Sequence, residues 1–179
     1  MAHVNKGLIG FKIDGTKKAI MENCFVQRSV NLGGLGSPLC GAYYNVSVPG
    51  SMHPGYNGAN TRGFSVAGSR SVILRRCEVS SLMSTGGTTV GFDVHTDSRN
   101  VRLKSCRGVN VEALAAGGQS SLSAMDAVVA HLGSETRKIK VSGQCFDDPK
   151  APGGISAKVV NEGNFNSIGK ESSKCPFMN

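Results

Sequence analysis

The stretch GFSVAGSRSVILRRCEVSSLMSTGG, residues 63–87, decides the fold because the chain repeats it. Counterparts are GFKIDGTKKAIMENCFVQRSVNLGG at 10–34 and GFDVHTDSRNVRLKSCRGVNVEALAAGG at 91–118. Each copy opens with Gly-Phe-x-(Val/Ile), passes a Ser/Thr-Arg/Lys turn, runs through alternating apolar residues to a cysteine and closes at Gly-Gly. A weaker copy, AVVAHLGSETRKIKVSGQC at 127–145, keeps the first strand, the Thr-Arg and the Cys, and GISAKVVNEGNFNSI at 154–168 opens a fifth. Such coils cannot bury an apolar face singly, but stacked coils share one continuous core.

Alternation with period two assigns the faces. Phe11/Ile13, Phe64/Val66, Phe92/Val94 and Val128/Ala130 point inward in the first strand, as do Val72/Leu74 and Val101/Leu103 in the second. Cys24, Cys77 and Cys106 then share one inward position. The segment SSLSAMDAVVAHLG, 120–133, also nearly fits helical spacing through Leu122, Met125, Val129 and Leu132, with Gly133 as a stop.

The pattern resembles the right-handed parallel β-helix repeat family, the pectate-lyase-like superfamily, over most of 8–168. The resemblance implies an all-β solenoid of short stacked coils. One domain spans 1–179, with an irregular coil or insertion at 35–62 and a tail at about 169–179. The first coil starts close to Met1 and leaves little chain to cover the open end, so other protein subunits are expected there.

Composition limits the partners. Twenty Lys and Arg against 12 Asp and Glu give a net charge of +8, which favours a polyanion. A nucleic-acid platform would need stacking aromatics, and most phenylalanines are used inward. No stretch reaches the apolar length of a membrane span, and the N-terminus lacks a signal-peptide layout, so the chain reads as soluble. Cys24, Cys77 and Cys106 read as a reduced core ladder, with Cys40, Cys145 and Cys175 the candidates for any disulfide; a reducing compartment, or a virion assembled in one, fits this. The sequon at Asn45 is a short motif that also arises by chance.

Two sets of outer residues carry candidate chemistry. At the corner after the first strand, Lys17, Arg70, Arg99 and Arg137 place one cation at the same point of each coil, a ladder suited to an anionic polysaccharide lying along the stack. A corner that accepts any soluble residue would read the same way. On the first strand, the outward columns run Lys12, Ser65, Asp93, Val129 and Asp14, Ala67, His95, His131. Asp93, His95 and His131 could thus converge and share protons, although exposed residues of these types are also common on solvated faces. No residue pattern calls for a metal or a cofactor: GNFNSIGKE at 163–171 has the wrong glycine spacing for a phosphate loop.

VGFDVHTDSRNV, 90–101, is similar to the Tyr-Gly-Phe-Asp-Pro-His signature of mannuronan carbon-5 epimerases. Gly91, Phe92, Asp93 and His95 match, while Val90 and Val94 stand at the tyrosine and proline. That resemblance implies uronate proton transfer, by epimerisation or elimination, at Asp93, His95 and His131. The Gly-Phe-x-Val coils equally resemble non-catalytic β-helix proteins of large DNA viruses and solenoid fibre segments. Three functions follow: a non-catalytic structural or adhesive surface module that binds an anionic glycan, a uronate-polysaccharide epimerase or lyase relative, and a purely structural virion or fibre component. A virion or a cell surface is the location these resemblances imply.

Overall fold

A computed structural model describes residues 8–31, 60–85, 88–114, 126–151 and 154–172. Their regular structure is all strand, and every strand pairing is parallel. The strands group into five successive rungs. Rung 1 holds β1 (Leu8–Asp14), β2 (Ala19–Glu22), β3 (Phe25–Gln27) and β4 (Val30–Asn31). Rung 2 holds β5 (Thr61–Ala67), β6 (Val72–Arg75) and β7 (Glu78–Thr85), and rung 3 holds β8 (Thr89–His95), β9 (Arg102–Lys104) and β10 (Arg107–Leu114). Rung 4 comprises β11 (Ala127–Leu132), β12 (Lys140–Ser142) and β13 (Cys145–Phe146), and rung 5 comprises β14 (Ser156–Asn161) and β15 (Ser167–Ile168).

Rungs 1 to 4 contribute their strands in turn to three sheets, and among the described residues rung 5 contributes to two of them. The first has the order β1-β5-β8-β11-β14, the second β2-β6-β9-β12-β15 and the third β3-β7-β10-β13, with β4 also pairing β7. The sequence copies are therefore the structural units. Short β-branched runs form the strands, and single left-handed residues turn the chain between them: Asn23, Arg76, Ser105 and Gly143 do so after the second-sheet strands of rungs 1 to 4.

The core lies among the three sheets. Phe11, Phe64 and Phe92 are in register and stack, with ring centroids 5.0 and 5.3 Å apart. Rung 4 has Ala130 in that column, and the fourth ring comes from the third sheet, where Phe146 lies 6.0 Å from Phe92. Small and large residues alternate to admit this. A Cβ on Gly10 would come within 2.7 Å of Val26, and one on Gly63 would collide with Val79. Rung 3 carries glycine on both sides: a Cβ on Gly91 would lie 2.9 Å from Val79 Cγ2 below, and one on Gly108 would collide with Val129 above.

The fourth copy differs from its expected register. Ala130 pairs Phe92 and Leu132 pairs Val94, so Val128 and Ala130 are not the equivalents of Phe92 and Val94. The copy slides two residues because it lacks the Gly-Phe marker. His131 consequently pairs Asp93 rather than His95, and Val129 leaves the outward column to pack against Gly91 and Gly108. Residues 127–132 are strand, not helix, and 120–125 lie outside the described residues. Most of 35–62 also lies outside them, except that Thr61 and Arg62 open β5. Tail residues 169–172 carry no strand, and 173–179 are not among the described residues.

Cys24, Cys77 and Cys106 are free thiols at one repeated position, the last two fully buried. Their carbonyls accept from Glu78, Arg107 and Cys145 in turn, which fixes the register. Cys145 falls one residue beyond this column, so Gln144 takes the fourth place, buried and donating through Nε2 to the Gly169 carbonyl at 2.7 Å. A hydrogen bond with Cys77 and burial push the Cys106 thiol up, so it remains a protonated packing group. Cys145 is in a disulfide, whereas Cys40 and Cys175 lie outside the described residues.

Candidate functional site

The corner between the first and second sheets is built from inside outward. Ser69, Ser98 and Thr136 have no exposed surface, although their residue types suit a turn. Their hydroxyls serve the backbone: Ser69 Oγ donates to the Ala67 carbonyl at 2.8 Å, Ser98 Oγ to the His95 carbonyl at 2.7 Å and Thr136 Oγ1 to the Gly133 carbonyl at 2.7 Å. The Ser69 and Ser98 hydroxyls also accept from the rung below, since Thr16 N donates to Ser69 Oγ at 3.1 Å and Ser69 N to Ser98 Oγ at 3.4 Å, while Thr136 Oγ1 accepts from Asn166 Nδ2 of rung 5 at 3.1 Å. This buried hydroxyl ladder fixes the residue that follows each Ser or Thr.

That residue is the cation. Arg70 pairs Arg99, Arg99 pairs Arg137 and Arg137 pairs Asn164 in parallel bridges, while Arg70 N donates to the Thr16 carbonyl and so brings Lys17 into the same column. Neighbouring strands of a sheet lie about 4.8 Å apart, so like charges stand one strand spacing from each other. Asp97 relieves the column at one point through bonds from Arg99 Nε at 2.9 Å and Nη2 at 2.7 Å. Those Arg99 bonds hold the Asp97 carboxyl below its usual range, with further help from the charges of Arg99, Arg70 and Arg137. The adjoining second sheet adds cations on its outer face: Arg75 pairs Lys104 in register, and Arg102 pairs Lys140. Glu22 opposes Arg75 at 3.6 Å and also pairs with Arg76.

The second cluster lies on the outer face of the first sheet. Strand β8 supplies Asp93 and His95, β11 supplies His131, and β5 supplies Ser65 and Arg62. Asp93 is only 4% exposed. Its Oδ1 accepts from His131 Nδ1 at 2.8 Å, and its Oδ2 lies 2.7 Å from Arg62 Nε. The Arg62 contact is an ion pair without hydrogen-bond alignment, since this buried Nε has no aligned acceptor. His95 Nε2 faces Ser65 Oγ at 3.1 Å and Asp93 Oδ2 at 3.8 Å, while its Nδ1 is 2.8 Å from Thr96 Oγ1. Beyond His131, Glu162 Oε2 is 3.6 Å from Nε2.

This geometry limits the chemistry. Ser65 and Asp93 approach the same nitrogen of His95, whereas a nucleophilic triad needs them on opposite nitrogens, and Ser65 is buried. Both oxygens of Asp93 are engaged, so it orients His131 and balances Arg62 rather than reaching a ligand. The Asp93 hydrogen bond, then the charges of Asp93 and Glu162, raise the His131 pKa against burial. His131 therefore keeps its proton to higher pH than an unperturbed imidazole does. Among the described residues no group of three or more His, Cys, Asp and Glu could hold a metal ion.

Asp93, His95 and His131 thus meet, and Lys17, Arg70, Arg99 and Arg137 form one column on a different part of the surface. Arg62 and Glu162 complete the Asp93 cluster and were not distinguished in the sequence. Arg62 stands in register with Ile9 and Val90, a column with no polar pattern to announce it. Comparison with protein-family models, with curated proteins and with solved structures gives no match.

Proposed function

We propose that the chain is a right-handed parallel β-helix that acts as a non-catalytic structural or adhesive surface module, holding an anionic polysaccharide along Lys17, Arg70, Arg99 and Arg137. The observation that carries this reading is the in-register bridging of Arg70, Arg99 and Arg137 on a corner fixed by buried hydroxyls. A flexible scatter of lysines would bind polyanions diffusely. A fixed column instead presents charge at a regular interval along one line, which matches a linear polymer, and the repulsion within the column is relieved when the polymer binds. The cations of the second sheet widen the same basic surface. The test is retention on immobilised alginate, pectate or heparin as salt is raised. Salt-sensitive retention supports the reading; no retention at low salt leaves a purely structural virion or fibre component.

A second reading is a uronate-polysaccharide epimerase or lyase relative that uses Asp93, His95 and His131. The Arg62 guanidinium beside Asp93 favours it, because proton abstraction next to a carboxylate needs a cation to neutralise that carboxylate. Against it stands the near-complete burial of Asp93 and the occupation of both its oxygens. Tyr43, Tyr44 and Tyr56, the tyrosines of the chain, lie outside the described residues. The measurement is proton exchange from heavy water and unsaturated-uronate absorbance on polymannuronate and polygalacturonate. We expect neither signal; turnover lost in both Asp93→Asn and His95→Ala would establish the enzyme.

A further inference from the structure

We infer that Asp97 is a resident competitor within the basic column: its carboxylate holds, on Arg99, the place that an acid group of the polyanion takes, so binding requires its displacement. The inference rests on the proposed reading of the column and adds the regulation of that site. The chain places a carboxylate there by an insertion. Two residues, Gly68 and Ser69, separate Ala67 from Arg70 in rung 2, whereas three, Thr96, Asp97 and Ser98, separate the equivalent His95 and Arg99 in rung 3. Rung 4 has the same length, with Ser134, Glu135 and Thr136 ahead of Arg137, and Glu135 takes the place of Asp97.

The loop that carries Asp97 is held in an unfavourable backbone. Thr96 and Asp97 are successive left-handed residues, with φ of 50° and 45°, where rung 2 uses Gly68 alone at 55°. That conformation is costly for any residue with a Cβ, most of all for a β-branched threonine. The surroundings impose it. Gly68 N donates to the Thr96 carbonyl at 2.6 Å, Thr96 Oγ1 lies 2.8 Å from His95 Nδ1, and Ser98 Oγ donates to the His95 carbonyl at 2.7 Å. These contacts fix the loop from which Asp97 reaches Arg99.

The contact itself has the form of a ligand contact. Asp97 Oδ1 alone accepts from both Arg99 Nε, at 2.9 Å, and Arg99 Nη2, at 2.7 Å, so a fork of donors suited to two oxygens of a carboxylate or sulfate is filled by one. The charges of Arg70 and Arg137 act on Asp97 as well. Among the described residues Lys17, Arg70 and Arg137 have no ion-pair partner, so Arg99 is the occupied cation of the column. A pair between side chains 39% and 53% exposed is weak and exchanges readily. An incoming acid group takes over the Arg99 hydrogen bonds, and Asp97 turns to water with its charge. Repulsion between that charge and the polymer then keeps the affinity below what four unopposed cations would give. Glu135 has the same charge but forms no ion pair among the described residues, which makes it an internal control.

The experiment is calorimetric titration of the full chain with alginate at one low salt concentration, for the parent, Asp97→Asn and Glu135→Gln. Asparagine accepts the left-handed backbone, so the loop keeps its shape. Asp97→Asn should bind about two- to five-fold tighter than the parent, the range an exposed ion pair is worth. Glu135→Gln removes the same charge and should gain less. The gain from Asp97→Asn should also vanish when it is measured in an Arg99→Ser background. Asp97→Asn binding no tighter than Glu135→Gln, or a gain that persists without Arg99, overturns the inference and leaves the glycan reading of the column standing. Weaker binding by Asp97→Asn than by the parent overturns it too, and makes Asp97 an orienting partner of Arg99. Absence of binding by the parent and by both variants removes the inference and the glycan reading together.

Discussion

His131 Nδ1 donates to Asp93 Oδ1 at 2.8 Å across the boundary between rungs 3 and 4, and Arg62 meets the other oxygen of the same carboxylate from rung 2. One buried charge thus joins three rungs. The link depends on protonation, because His131 has a raised pKa set first by its hydrogen bond to Asp93. A folded-state pKa above the unfolded value contributes stability that is complete below about 6.5 and is lost as pH rises through the folded value. Thermal melts should therefore show a stability decrement on the alkaline side of about pH 6.5 that disappears in His131→Gln. In Asp93→Asn, a ring titration followed by NMR should place His131 lower than in the parent. An unchanged titration would mean that Asp93 does not hold the imidazolium.

The phenylalanine stack gives a packing prediction. Phe64 has rings on both sides and is 1% exposed, so Phe64→Ala opens a cavity between rungs and should cost about 3–5 kcal/mol in denaturant unfolding. A loss below 1 kcal/mol would show that the neighbouring rings close the space.

Gly108 supplies a sharper test, since a Cβ there collides with Val129 Cγ1. Gly108→Ala should destabilise by about 1–3 kcal/mol through overpacking. Combining it with Val129→Ala should give a double variant more stable than the sum of the two losses predicts. Strict additivity in a double-mutant cycle would contradict the contact.

For the basic column, changing Arg70 and Arg99 together to serine should abolish retention on heparin or alginate at moderate salt and leave the melting temperature nearly unchanged. Arg102→Ser with Lys140→Ser, on the adjoining sheet, should weaken retention less. Equal retention by the Arg70/Arg99 variant at low salt would remove the column from function.

The repeat made the parallel all-β architecture legible, together with the Phe11, Phe64, Phe92 column and the three-cysteine column. It failed where a rung solves the same packing problem with other residues. Rung 4 takes its ring from Phe146 instead of from the first strand, and with Gly-Phe absent the register of Ala127–Leu132 had no anchor. The corner Ser and Thr were read as turn formers, whereas their burial makes them the backbone support of the cation column. Within the acid–base cluster, Asp93 and His95 stood out as polar residues on one strand. Arg62 and Glu162 come from rungs 2 and 5, and their proximity is a property of register that no local motif carries.

The paired glycines of rung 3 make the array directional in a way its repeating sequence conceals. Gly91 and Gly108 leave two gaps on one level, which valines from the levels on either side enter. A duplicated rung 3 would meet glycine where Val129 belongs, and exchanging rungs 2 and 3 would put Val79 where Gly108 now admits Val129. Each unit thus carries a serial address. Lengthening or shortening this chain by recombination would succeed only at junctions where glycine and valine keep their order.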